Sequence, residues 1–137
     1  MSREKPEVLI VDDEAHIRVF LKSALKRMPC RIVGEAVNGH EAVEKYRELR
    51  PDLVLLDQNM PHLNGEEALA QIIAADPDAQ VVLLTSVSDA ASVQKCISLG
   101  ARDYIRKDLD LDEIRRLIAE ILADLGRDAE EEPDGKV

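Results

Sequence analysis

The strongest constraint on this chain is one pattern that occurs more than once. Val8-Leu-Ile-Val11 is an unbroken apolar run that ends at once in Asp12-Asp13-Glu14, and Asp52-Leu-Val-Leu-Leu-Asp57 carries a second run to a second carboxylate. An apolar run this short suits a strand buried on both faces, as in a parallel sheet. Gln80-Val-Val-Leu-Leu84 repeats the design and ends in Thr85-Ser86. Arg31–Val37 predicts a second, partly exposed strand, and Asp103-Tyr-Ile105 a short last strand ending near Lys107.

Between these runs the apolar period changes to that of a helix. Ile17, Phe20, Leu21 and Leu25 share one face, and Pro29 stops the pattern after Met28. Ala42, Val43 and Tyr46 precede Pro51; Ala68, Leu69, Ile72 and Ile73 form the next face; Ala90, Val93 and Ile97 lead to Gly100 as a left-handed cap. Asp110 with Glu113 resembles a capping box for a last helix bearing Ile114, Leu117, Ile118, Ile121 and Leu125, which Gly126 is expected to end. Asn38-Gly39 reads as a turn, and Asn59–Gly65 as a loop of turn formers in which Gly65 permits close helix approach. Strand–helix units in series predict an α/β fold: a doubly wound parallel sheet covered on both faces, with right-handed crossovers.

A chain of 137 residues that is 45% apolar accommodates one core. The expected division is a domain over 1–126, with its core at about 6–125, and an acidic tail over 127–137 that has little to bury and is predicted to be disordered. The formal net charge of −10 disfavours nucleic acid and anionic membranes as direct partners and favours a cation site. Tryptophan is absent, so no base-stacking platform is suggested. No apolar stretch reaches the roughly 18 residues of a membrane span, and Met1–Pro6 lacks a secretory core, so a cytoplasmic location is expected. Cys30 and Cys96 lack metal-ligand spacing and read as reduced structural thiols. His16, His40 and His62 read as surface residues.

In an open α/β sheet, ligands collect beyond the C-terminal ends of the strands. The strands here deliver Asp12 and Asp13, Asp57, Thr85 and Lys107 to that edge. Two like charges about 4 Å apart repel by roughly 4 kcal/mol at an effective dielectric of 20, so the carboxylates call for a counterion beyond the lysine. Mg2+ is the natural candidate and Mn2+ the nearest substitute. Asp13 and Asp57 would hold it, with the Asn59 backbone carbonyl as third protein ligand and Asp12 orienting bound water. One oxygen of Asp57 then remains free to attack phosphorus, while Lys107 pairs with the incoming phosphoryl oxygens. Thr85 offers a hydroxyl that can swing toward them, leaving space that Tyr104 could fill.

These residues resemble the bacterial response-regulator receiver domains, the CheY-like family. The resemblance rests on Val8-Leu-Ile-Val-Asp-Asp-Glu14, Asp52-Leu-Val-Leu-Leu-Asp57, Met60-Pro61 with Gly65, Leu83-Leu-Thr-Ser86 and Gly100-Ala-Arg-Asp-Tyr-Ile-Arg-Lys107, and covers about residues 6–125. It implies a five-stranded sheet in the order 2-1-3-4-5 with five surrounding helices. It further implies a phosphorelay switch: phosphoryl transfer from a histidine kinase or phosphotransfer protein onto Asp57, Mg2+ dependence, and slow self-catalysed dephosphorylation rather than enzymatic turnover. Thr85 and Tyr104 would be the switch pair and Lys107 the phosphate-sensing lysine, with a downstream target protein or a phosphorylation-dependent homodimer as the output. Many such domains carry a cis proline after the lysine; Asp108 stands there instead, so a trans or altered loop is expected. Asn59 and Val87 occupy positions that tune phosphoryl lifetime in that family. Three other readings compete: a receiver module cut from a longer regulator, a Mg2+-dependent phosphohydrolase, and a degenerate protein-binding domain.

Overall fold

The computed structural model describes residues 5–60, 63–86 and 90–131, the last five of them by backbone alone. The elements alternate along the chain: β1 (Glu7–Val11), α1 (Ala15–Leu25), β2 (Arg31–Ala36), α2 (Gly39–Leu49), β3 (Leu53–Asp57), α3 (Gly65–Ala75), β4 (Val81–Thr85), α4 (Ala90–Leu99), β5 (Asp103–Arg106) and α5 (Leu111–Glu131). The strands form one sheet in the order β2-β1-β3-β4-β5, and every neighbouring pair is parallel. The chain order reverses at β1 and β3, which places a crevice between their C-terminal ends.

Strand alternation sorts the core into two layers. Leu9, Val11, Val54, Leu56, Val81 and Leu83 pack against Ala42, Val43 and Tyr46 of α2, Ala68, Leu69 and Ile72 of α3, and Cys96 of α4. The alternate residues, Val8, Ile10, Leu53, Leu55, Val82, Leu84 and Ile105, meet Leu21 and Leu25 of α1 and Ile114, Ile118, Ile121 and Leu122 of α5. β3 and β4 are buried along their whole length, so no polar alternation marks them in the sequence. Each fully buried aliphatic side chain contributes about 1.5–3 kcal/mol relative to exposure, which makes these central strands the stable base of the site.

Several expectations change at the element ends. Asn38-Gly39 is a helix start, not a turn: Asn38 is extended and its side chain accepts from the Glu41 backbone N–H, capping α2. The loop after Asn59 ends in a full capping box between Asn64 and Glu67, so Gly65 is already helical. α1 ends at Leu25, a turn before Pro29, and the chain closes there with a Met28 N–H to Leu25 carbonyl bond of 3.0 Å. α5 does not stop at Gly126 but continues to Glu131; this glycine lacks the left-handed conformation of a helix stop, and only Gly100 has positive φ among the described glycines. Residues 132–137, the rest of the expected tail, lie outside the described residues. In α4 the buried position is Cys96, whereas Ile97 is 38% exposed. Cys96 lies in the core with Leu99 packed against the same cluster, a rotation of the face that Ala90 and Ile97 suggest.

The two cysteines are free. No helix among the described residues is long and apolar enough to cross a membrane.

Candidate functional site

Parallel register brings the polar residues together. Val11 pairs with Leu56, which sets Asp12 beside Asp57, and Thr85 pairs with Arg106, which sets Lys107 one residue further on. The Lys107 N–H donates to the Thr85 carbonyl at 2.8 Å and anchors that loop to β4. The lysine therefore leaves β5 aimed across the strand ends. Its Nζ lies 2.9 Å from Asp57 Oδ1 and 3.0 Å from Asp12 Oδ2.

Both carboxylates are deeply buried: Asp12 is 0% and Asp57 1% exposed. Asp12 Oδ1 accepts the Glu14 N–H at 2.9 Å, and Asp57 Oδ1 accepts the Asn59 N–H at 3.1 Å. Asp57 Oδ2 is buried without a hydrogen-bond partner, and Asp12 Oδ2 has only its charge contact with the lysine. An orphaned buried carboxylate oxygen is costly unless something binds it. Burial pushes the Asp57 carboxyl up to about 6; the Lys107 hydrogen bond opposes that rise and the Asp12 charge adds to it. Burial pulls the Lys107 ammonium down, but its contacts with Asp57 and Asp12 prevail and raise its pKa overall.

Asp13, exposed, completes a cluster in which one carboxylate oxygen from each of Asp12, Asp13 and Asp57 lies within 4.8 Å of the others. With Lys107 counted, two negative charges remain uncancelled, which one hard divalent cation matches in sign, size and ligand chemistry. The donor set and the orphaned oxygen thus fit Mg2+.

The other expected residues are placed less uniformly. Thr85 is 2% exposed, and its hydroxyl is turned toward Gln58 Oε1 at 2.6 Å and the Ser86 carbonyl at 3.0 Å. Tyr104 pairs with Leu83, on the same sheet face as Thr85, and is 45% exposed, so its ring is not inserted behind Thr85. The Asn59 side chain faces out and donates to the Ser86 hydroxyl at 3.4 Å, while its backbone N–H is engaged by Asp57. No cis peptide bond occurs among the described residues, in line with Asp108 replacing proline, and Asp108 takes both Arg106 Nε and Nη2 at 3.0 and 2.7 Å. Val87 and His62 lie outside the described residues; His16 and His40 are exposed and are not among the residues of the cluster.

Two participants escaped sequence reasoning. Gln58 was legible in principle, since it continues the buried alternation of β3 into the face that Thr85 occupies. Arg18 was not: it donates from Nη1 to the Asp12 carbonyl at 2.8 Å and from Nε to Glu35 at 3.1 Å, a contact among three elements with no local pattern. Arg18 thereby ties the segment that bears Asp12 and Asp13 to α1 and β2.

The model of the response regulator receiver domain matches residues 8–119. The chemotaxis protein CheY of Thermotoga maritima is 44% identical over 100 residues, covering 73% of this chain and 83% of that protein. The response regulator domain of Thermotoga maritima CheB superimposes with a TM-score of 0.80 at 33% identity, over 88% of this chain and 96% of that one. A chain of the CheX–CheY–BeF3–Mg complex from Borrelia burgdorferi gives a TM-score of 0.79 at 30% identity, over 84% and 87% of the two chains. With its family model spanning most of its length and its sheet order and strand-end carboxylates as described, the chain belongs to the response regulator receiver domains, the phosphoacceptors of two-component signalling.

Proposed function

We propose that Asp57 is the phosphoacceptor, that Asp13, Asp57 and the Asn59 carbonyl hold Mg2+, and that Asp12 orients water bound to it. The observation that carries this reading is the buried Asp57 carboxylate, with one oxygen tied to Lys107 and the Asn59 N–H and the other unpartnered. When bound, Mg2+ supplies charge neutralisation at the carboxylates and at the oxygens of the transferred group. An Asp57 oxygen attacks phosphorus, the P–N bond to the donor histidine breaks, and the imidazole leaves with that electron pair and takes up a proton. Lys107, already aimed between Asp12 and Asp57, moves to the incoming phosphoryl oxygens and disperses their charge. Thr85 donates its hydroxyl to a phosphoryl oxygen, and Tyr104, outward in this structure, turns into the space vacated.

The donor is a histidine kinase or phosphotransfer protein, and the outcome is an altered surface near Tyr104 for a downstream protein or a second copy. Asn59, the residue two positions past the acceptor, brings no acid and its amide is bonded to Ser86, which suits slow dephosphorylation rather than turnover of phosphate esters. The reading includes a cytoplasmic location and a receiver unit whose last helix carries past Gly126 into the acidic C-terminal segment.

Intact-protein mass after incubation with Mg2+ and acetyl phosphate tests the assignment. The expected result is one base-labile phosphoryl adduct on the wild type and none on Asp57→Asn. An adduct that persists in Asp57→Asn, or none on the wild type under conditions where Mg2+ binding is measured, would overturn it.

A further inference from the structure

Building on the assignment of Asp57 and Thr85 above, we propose that Gln58 is a positioning residue that restrains the Thr85 hydroxyl in the resting state and so sets how readily the domain switches. Gln58 directly follows the acceptor and is 6% exposed. Its backbone is held on both sides, donating to the Leu84 carbonyl at 3.0 Å and accepting from the Gly65 N–H at 3.1 Å. Strand alternation turns it to the face of Val54 and Leu56, the face on which Thr85 follows Val81 and Leu83. Its amide oxygen lies 2.6 Å from Thr85 Oγ1, a short contact between two buried side chains.

A threonine hydroxyl has one proton to donate. In this structure that proton is claimed by Gln58 or by the Ser86 carbonyl at 3.0 Å. If Thr85 turns its proton to a phosphoryl oxygen, the bond to Gln58 breaks and leaves a buried amide acceptor without its donor, a cost borne only by the switched state. A charge-assisted bond to the phosphoryl group is roughly twice as strong as a neutral one, so phosphorylation still prevails. Gln58 thus lowers the resting population of the switched form without blocking it.

The test uses Mg2+ with beryllofluoride as the phosphoryl mimic, titrated calorimetrically into the full chain. Gln58→Met removes the acceptor at similar length and should bind beryllofluoride about threefold to tenfold more tightly, the equivalent of one neutral hydrogen bond. Affinity for Mg2+ alone should not change, which a merely structural loss would not reproduce. In a Thr85→Val background the Gln58→Met effect should vanish, because the hydroxyl it restrains is gone. Gln58→Leu serves in the same cycle if the methionine variant does not fold. Unchanged beryllofluoride affinity in Gln58→Met, or a gain that survives in Thr85→Val, overturns the proposal. A wild type that binds no beryllofluoride overturns the reading beneath it, and the restraint with it.

Discussion

The chemistry of this domain turns on a carboxylate that the fold treats badly. Asp57 is 1% exposed, and its pKa rises from the ordinary 3.8 to about 6, so the folded chain holds a proton there that the unfolded chain releases. Between those values the cost of ionising Asp57 grows with pH; above about 6 it is fully present and below about 4 it is absent. Metal-free Asp57→Asn should therefore be more stable than the wild type at pH 7.5 by about 1–3 kcal/mol, and the difference should disappear as pH falls below about 4. Urea melts of both proteins across that range check the sign. Removing the cation has the opposite consequence. Lys107→Met leaves Asp12 and Asp57 facing each other and should destabilise the metal-free chain by about 2–4 kcal/mol, less than the 3–5 of a fully buried pair because the lysine is 21% exposed. Thermal melts should show Mg2+ recovering part of that loss.

At the scale of elements, the site depends on how closely α3 approaches the end of β3. A Cβ on Gly65 would collide with the Asp57 carbonyl and come within 2.6 Å of the Gln58 Cα, so neither neighbour can yield as a flexible side chain would. Gly65→Ala should cost about 3 kcal/mol or more and slow phosphorylation, because the backbone it displaces carries Asp57, the proposed acceptor. Gly126 provides the contrast, lying within α5 with nothing inside 4 Å of its added Cβ. Gly126→Ala should stabilise the chain by about 0.5–1 kcal/mol, measurable in the same urea melts. The existence and type of these elements were legible from periodicity, since Ile114, Ile118 and Ile121 keep one face of α5 and are buried as that pattern requires. Their ends were not. Gly126 carries no conformation that stops a helix, and Asn38-Gly39, which reads equally as turn or cap, became a cap because Gly39 lies against Leu63, its N–H donating to that carbonyl at 3.1 Å.

For the molecule as a whole, the proposed cation site should link folding to cation binding. The folded sheet brings the carboxylates of Asp12, Asp13 and Asp57 together, so on the proposed assignment Mg2+ should bind the folded chain rather than the unfolded one. At a hundredfold excess over its dissociation constant it should add about 2.7 kcal/mol, and calorimetric melts over a Mg2+ series should rise logarithmically. Asp57→Asn should flatten that rise. By itself the sequence determined the series of strands and helices, and with it the delivery of Asp12, Asp13, Asp57, Thr85 and Lys107 to one edge, because apolar period and strand-end position are local properties of the chain. Only the tertiary structure decided that Asp57 keeps an orphaned oxygen, that Gln58 holds the Thr85 hydroxyl, that Arg18 steadies the Asp12 carbonyl, and that Cys96 rather than Ile97 enters the core. Each of these depends on register, crossover and the rotation of a helix against the sheet, quantities set by packing between residues far apart in the chain.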